Sequence, residues 1–304
     1  MSSAPSTRPF NKPWLSCDDQ LRLLRARGLA VADPVAAADF LSHVNYYRFS
    51  GYCLAFEQVR HRFLPGVTFE HIRQSYEFDR GLRNLLTEAL EHVEIDFRAA
   101  VARHFGQKHG PFGHAHGASF FKTFAHADWL ARLRAEAERS RELFVLHFKA
   151  NYAEFPDLPV WMATEVMTFG ALSLMLKGMH RDDQRAIASR YRLQAYHLTS
   201  CLHHLAYVRN LCAHHSRLWD RVWAIKPDLP PGKAWGPPLL PSNERSFATL
   251  LLVYRLLQDC AAASLFAAEW RARVHAHLAS LPAAPRSPER LGLTPGWRQH
   301  PLWT

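Results

Sequence analysis

The chain reads as an all-α protein, a multi-helix bundle with helical extensions and one Pro-rich loop. Three observations predict this class. Apolar residues recur at steps of three and four along most segments. Helix-starting residues stand in front of several of them. No internal repeat and no strong strand pattern interrupts the series.

The elements follow in order. Ser16 is a good N-cap for a helix over Cys17 to Arg27, with Asp19 in its first turn and Gly28 as its stop. Asp33-Pro34 opens a second helix that ends near Val44, since proline is tolerated at the first helical position. Asn45 to Tyr52 turns into another short helix, and His61 to Thr68 is a loop. The clearest helix runs from Phe69 to Phe105, with Phe78, Leu82, Leu85, Leu86, Ala89, Val93, Phe97 and Val101 on one face and Gly106 as its end. After a Gly/His-rich loop over His109 to Gly117, helices are expected at Asp128 to Tyr152, Pro159 to Met179, Asp182 to Tyr191 and His197 to His215. Six prolines between Pro227 and Pro241 exclude helix there. Arg245 to His277 is the last long helix, and Pro-rich residues 281–304 read as a loosely attached tail. Residues 1–280 are expected to form a single helical domain.

With 304 residues the chain can bury a substantial core. The balance of 37 Lys+Arg against 27 Asp+Glu, net +10, favours a polyanionic partner such as RNA, although an Arg-preferring genome raises the charge without any such partner. Five cysteines (Cys17, Cys53, Cys201, Cys212, Cys260) are scattered and form no CxxC pair, so neither a zinc ribbon nor a disulfide framework is indicated and a reducing cytoplasm fits. The polar N-terminus lacks the apolar core of a signal peptide. Apolar runs such as Thr249 to Val253 are broken well short of membrane-spanning length, so no membrane partner is expected.

The segment with most chemistry is Val208-Arg209-Asn210-Leu211-Cys212-Ala213-His214-His215-Ser216-Arg217-Leu218-Trp219. A permanently charged guanidinium that grips phosphate stands close to two side chains able to move protons at neutral pH. On a helix, Leu198, Cys201, Leu202, Leu205, Val208 and Cys212 form an apolar stripe with Arg209 at its edge; His203, Tyr207, Asn210 and His214 lie opposite. Arg209 and His214 are five residues apart, so they point about 140° away from each other. One straight helix does not aim both at a single atom. The long Arg side chain can curl round, the helix can end near Cys212, or a second copy can supply the missing half. A plainer alternative makes Arg209 an interior residue paired with Glu165 or Glu94, pinning two helices. His214 would then be a helix-terminal histidine favoured by the dipole.

This segment closely resembles the signature of the Abi2-type abortive-infection proteins (the AbiD/AbiF group) of bacterial anti-phage defence. The resemblance spans roughly residues 12–225. It includes Lys12-Pro13-Trp14-Leu15, Asn45-Tyr46-Tyr47-Arg48-Phe49-Ser50-Gly51-Tyr52, Tyr76-Glu77-Phe78-Asp79-Arg80-Gly81-Leu82-Arg83, Trp161-Met162-Ala163-Thr164-Glu165 and Phe169-Gly170, in family order. The Arg-x4-His element is also similar to the motif of HEPN domains, helical bundles that include metal-independent ribonucleases whose site usually forms across a homodimer. The resemblance implies a HEPN-like fold and Arg209 and His214 as the catalytic pair, with Asn210 as polar neighbour. His215 is an alternative to His214, and Glu94 and Glu165 are orienting carboxylates. It implies an endoribonuclease with no metal or cofactor, acting in the cytoplasm. The alternative is a non-catalytic protein that holds a structured regulatory RNA.

Other features carry less. His109, His114 and His116 match no standard metal spacing. Tyr46, Tyr47 and Tyr52 beside Arg48 read as core before they read as base-stacking residues. Arg132, Arg134, Arg139 and Arg141, interspersed with Glu136, Glu138 and Glu142, read as a solvated, salt-bridged face.

Overall fold

Thirteen α-helices and one two-stranded hairpin occupy the described residues, 9–260 and 264–303 of a computed structural model, and the class is all-α as expected. The chain divides into two units, residues 1–77 with 282–285 and residues 78–281 with 286–304.

In the smaller unit, α1 (Cys17–Ala26) starts where the Ser16 hydroxyl accepts from the Asp19 amide, and Gly28 follows its end at φ +94°. Asp33 caps α2 (Pro34–His43) by accepting from the Val35 and Ala36 amides. Asn45 caps α3 (Tyr46–Cys53) through the Tyr47 amide. A hairpin, β1 (Glu57–Val59) and β2 (Arg62–Phe63), overlaps the loop expected from His61. Its strands are too short to show an alternating pattern. The unit's core is aromatic: Phe49 stacks on Phe69 at 4.7 Å between ring centres, and Phe40 meets both edge-on. The tyrosines of α3 separate, since Tyr52 is buried against Tyr76 while Tyr47 is 87% exposed.

The long helix α4 (Phe69–His109) begins in this unit and continues in the larger one. Of its expected apolar stripe only Leu85 is not buried. Gly106 does not end it. A Cβ there would lie 3.2 Å from Val160 Cγ1, so the glycine serves close packing, and Gly110 at φ +73° follows the true end.

Three helices expected as single are each two. The larger unit holds α5 (His126–Arg139), α6 (Leu143–Asn151), α7 (Val160–Val166), α8 (Phe169–Gly178), α9 (Arg181–Arg190), α10 (Ala195–Ala213), α11 (Ser246–Leu257), α12 (Ser264–Ala279) and α13 (Ser287–Leu291). Ser140 turns extended (ψ 140°) and its hydroxyl accepts from the Glu142 amide. Met167 also turns extended, and Thr168 then caps α8 through the Ala171 amide. In each case a short polar side chain offers the backbone a local bond that competes with the helical ladder. α11 ends at Leu257 and closes in a turn over Gln258 and Asp259; residues 261–263 of that expected helix lie outside the described residues.

Residues 286–303 are not loosely attached. Leu291, Trp303 and His300 are buried, and Trp303 packs against Phe247 and Tyr254 of α11. Buried aromatic surface holds a segment that its prolines alone would leave free. No helix among the described residues is long and apolar enough to cross a membrane.

Candidate functional site

The site is built on α10. Leu198, Cys201, Leu202, Leu205, Val208 and Cys212 are all buried, as the periodicity requires, and α8 and α9 pack on this helix. One further histidine of α10, His204, is also buried. Its ring nitrogens meet the Ile225 carbonyl at 2.6 Å and the Thr249 hydroxyl at 2.9 Å, and burial lowers its pKa to about 4. It is a neutral core residue.

Arg209 leaves the edge of the apolar stripe with its side chain 41% exposed. Its Nε lies 3.6 Å from Glu94 Oε2 on α4, and a long 3.5 Å contact joins it to Asn210 Oδ1. Glu94 in turn pairs with Arg98, whose other contacts are the Thr164 and Met167 carbonyls at the end of α7. Arg98 therefore ties α4 to α7 and holds the carboxylate that Arg209 approaches. Glu165 sits exposed on α7 and joins no ion pair among the described residues, so of the two proposed carboxylates only Glu94 reaches Arg209.

Beyond Arg209 the helix continues to Ala213. His214 is its exposed C-cap at φ −87°, ψ 10°. His215, also exposed, takes the left-handed conformation at φ 54°. The His215 amide donates to the Cys212 carbonyl and the Ser216 amide to the Leu211 carbonyl. This is the Schellman closure, with histidine at the position that glycine usually fills. A left-handed histidine costs about 1–2 kcal/mol locally. Asn210, His214 and His215 thus share an exposed helix end, whereas Arg209 is turned towards Glu94.

The segment after the histidines is held by a second pair from α4. Asp79 is fully buried and accepts from the amides of Leu218 (3.0 Å) and Trp219 (2.6 Å). Arg83 pairs with Asp79 at 2.5 Å and reaches the Ser216 carbonyl at 3.4 Å. Neither residue emerged from sequence reasoning as part of the site; their only signal was four-residue spacing of opposite charges within a quoted block.

A groove of about 290 Å³ lies beside Arg209, lined by Thr87, Glu91, Glu94, Ile95 and Arg98 of α4. His214 and His215 are not among its lining residues. Thr87, Glu91 and Ile95 recur every four residues on α4 and mark a single exposed face, a signal present in the sequence but indistinguishable there from ordinary surface.

The profile of the Abi-like proteins matches residues 39–220, which includes α4, the groove and the whole motif. The chain belongs to the Abi-like protein family. The family's name ties it to abortive infection, an anti-phage response. Among curated proteins and among solved structures nothing matches this Abi-like chain significantly.

Proposed function

We propose that this Abi-like protein is a metal-independent endoribonuclease of anti-phage defence, of the AbiD/AbiF kind and HEPN-like in its chemistry. The observation that carries the reading is the state of Arg209. Its ion pair with Glu94 is loose and half open to solvent, so the guanidinium is oriented yet available to a phosphate. A deeply buried, bidentate pair would not be.

In the proposed reaction the ribose 2′-oxygen attacks the adjacent phosphorus while a histidine removes its proton. The P–O5′ bond breaks and the leaving oxygen is protonated. Arg209 neutralises charge growing on the non-bridging oxygens. The products are a 2′,3′-cyclic phosphate and a 5′-hydroxyl. His214 and His215 are the proton-transfer candidates, with Asn210 as a polar neighbour. Because Arg209 is drawn to Glu94 while both histidines sit at the helix end, the reading requires a homodimer in which one copy's histidine meets the other's arginine. The net charge of +10 suits an RNA partner.

The test is cleavage of total bacterial RNA in EDTA by wild type, Arg209→Ala and His214→Ala, with product ends mapped. Cleavage by wild type alone, leaving cyclic-phosphate ends, supports the reading. Undiminished cleavage by a His214→Ala, His215→Ala double variant sinks it. The second reading, a module that holds a structured RNA without cutting it, is favoured by the contacts of Arg209, which among the described residues are to Glu94 and Asn210 and include no histidine. It predicts RNA that co-purifies uncut and a binding salt slope that falls by about one on removing Arg209.

A further inference from the structure

We propose that the groove beside Arg209 selects guanine, with Glu91 as the residue that reads the base. This rests on the reading above only for placing a phosphate at Arg209.

The charged groups of the groove are not equivalent. Arg98 is committed to Glu94 and to the Thr164 and Met167 carbonyls. Glu94 is shared between Arg98 and Arg209. Glu91, one turn earlier on α4, lines the same groove, is exposed, and joins no ion pair among the described residues. Thr87 has given its hydroxyl proton to the Arg83 carbonyl at 2.8 Å, so it offers the groove lone pairs. Ile95, 58% exposed, presents an apolar face beside these groups.

A ligand that fits must therefore bring an anion for Arg209, a flat apolar surface for Ile95 and a donor edge for Glu91. A nucleotide has all three, and about 290 Å³ accommodates one nucleotide rather than a duplex, near the lower end of small-ligand pockets of roughly 300–1,000 Å³. The carboxylate then chooses among the bases. Ionised, it only accepts hydrogen bonds. Guanine sets two donors side by side, N1–H and the N2 amine, which match both carboxylate oxygens. Adenine and cytosine set one amine beside an unprotonated ring nitrogen. Uracil sets one N–H between two carbonyls. Each of these three turns a lone pair towards the carboxylate. Ligand binding displaces water from the carboxylate, so the base that returns two charge-assisted hydrogen bonds is preferred over those that return one.

The experiment titrates the full-length protein with the four 3′-mononucleotides, followed by calorimetry or by chemical-shift changes. Guanosine 3′-phosphate is expected to bind about tenfold more tightly than the others or better, the discrimination of one bidentate base contact. Glu91→Gln, an exposed and nearly isosteric change, is expected to abolish that preference; Arg209→Ala is expected to weaken all four alike. Equal affinities, no binding of any nucleotide, or a guanine preference that survives Glu91→Gln would overturn the proposal. Mapping cleavage positions in EDTA separates this inference from the one it builds on. Guanine-selective binding without cleavage leaves the proposal standing and the ribonuclease reading fallen. Cleavage with no preference for guanine does the reverse.

Discussion

Two carboxylates of α4 hold the motif segment, and they do so in opposite ways. Asp79 is fully buried, pairs with Arg83 at 2.5 Å and takes two backbone amides of the segment beyond the histidines. Glu94, four turns along, meets Arg209 at 3.6 Å at the lip of an open groove. The first arrangement satisfies every charge inside the protein and leaves nothing for a ligand. The second leaves a guanidinium oriented and half exposed. Burial separates a closed clamp from an open contact: the Asp79–Arg83 pair lies within α4 and grips the backbone after the histidines, whereas the Glu94–Arg209 pair joins α4 to the motif's own arginine.

The contrast is sharpest in stability. Asp79→Ala is expected to cost about 3–5 kcal/mol, because it strands the Arg83 charge and two buried amides. Urea unfolding monitored by tryptophan fluorescence measures it, and a loss below about 1 kcal/mol would erase the distinction between the two pairs. Arg209→Ala is expected to shift the same curve by no more than about 1 kcal/mol, as an open pair should. If the ribonuclease reading holds, it also lowers cleavage about 10²- to 10³-fold.

Two buried histidines away from the groove make stability depend on pH. His204 and His114 are both buried, and burial pushes each down to about 4. Their folded values lie below those of the unfolded chain, near 6.5, so the unfolded state binds more protons between these limits. Stability is therefore complete above about pH 6.5 and declines as pH falls towards about 4. Unfolding curves at successive pH values should show this slope, flattened in His204→Asn; an unchanged slope would remove His204 from the account.

The smallest effect concerns the cap. His215→Gly relieves a left-handed histidine and is expected to raise stability by up to about 1 kcal/mol. Cleavage lost in this variant but retained in His214→Ala would give the proton-transfer role to His215. The opposite pattern gives it to His214.

Much of this was legible in the chain. The periodic stripes of α4 and α10 are local patterns, and caps at Ser16, Asp33 and Asn45 act within three residues, so each can be read without a partner. Arg209, Asn210, His214 and His215 stood out by type and spacing, and the family profile includes them all. Misreadings arose where a local pattern was consistent with two structures. Gly106 looks like a helix stop and is instead a packing contact against Val160. Ser140 and Met167 interrupt stretches whose amphipathic pattern runs on through the break. The tail's prolines suggest freedom, yet its tryptophans bury it.

The sequence by itself determined an all-α class, the faces that are buried, and the residue types able to act on a phosphate, because these depend on neighbours three or four positions away. Tertiary structure alone decided that Arg209 turns to Glu94 and not Glu165, that Asp79 and Arg83 clamp the segment behind the histidines, and that Glu91 faces the same groove as Arg209. Those contacts join residues more than a hundred positions apart, and only the tertiary placement of α4 beside the motif sets which of several equally charged side chains meet.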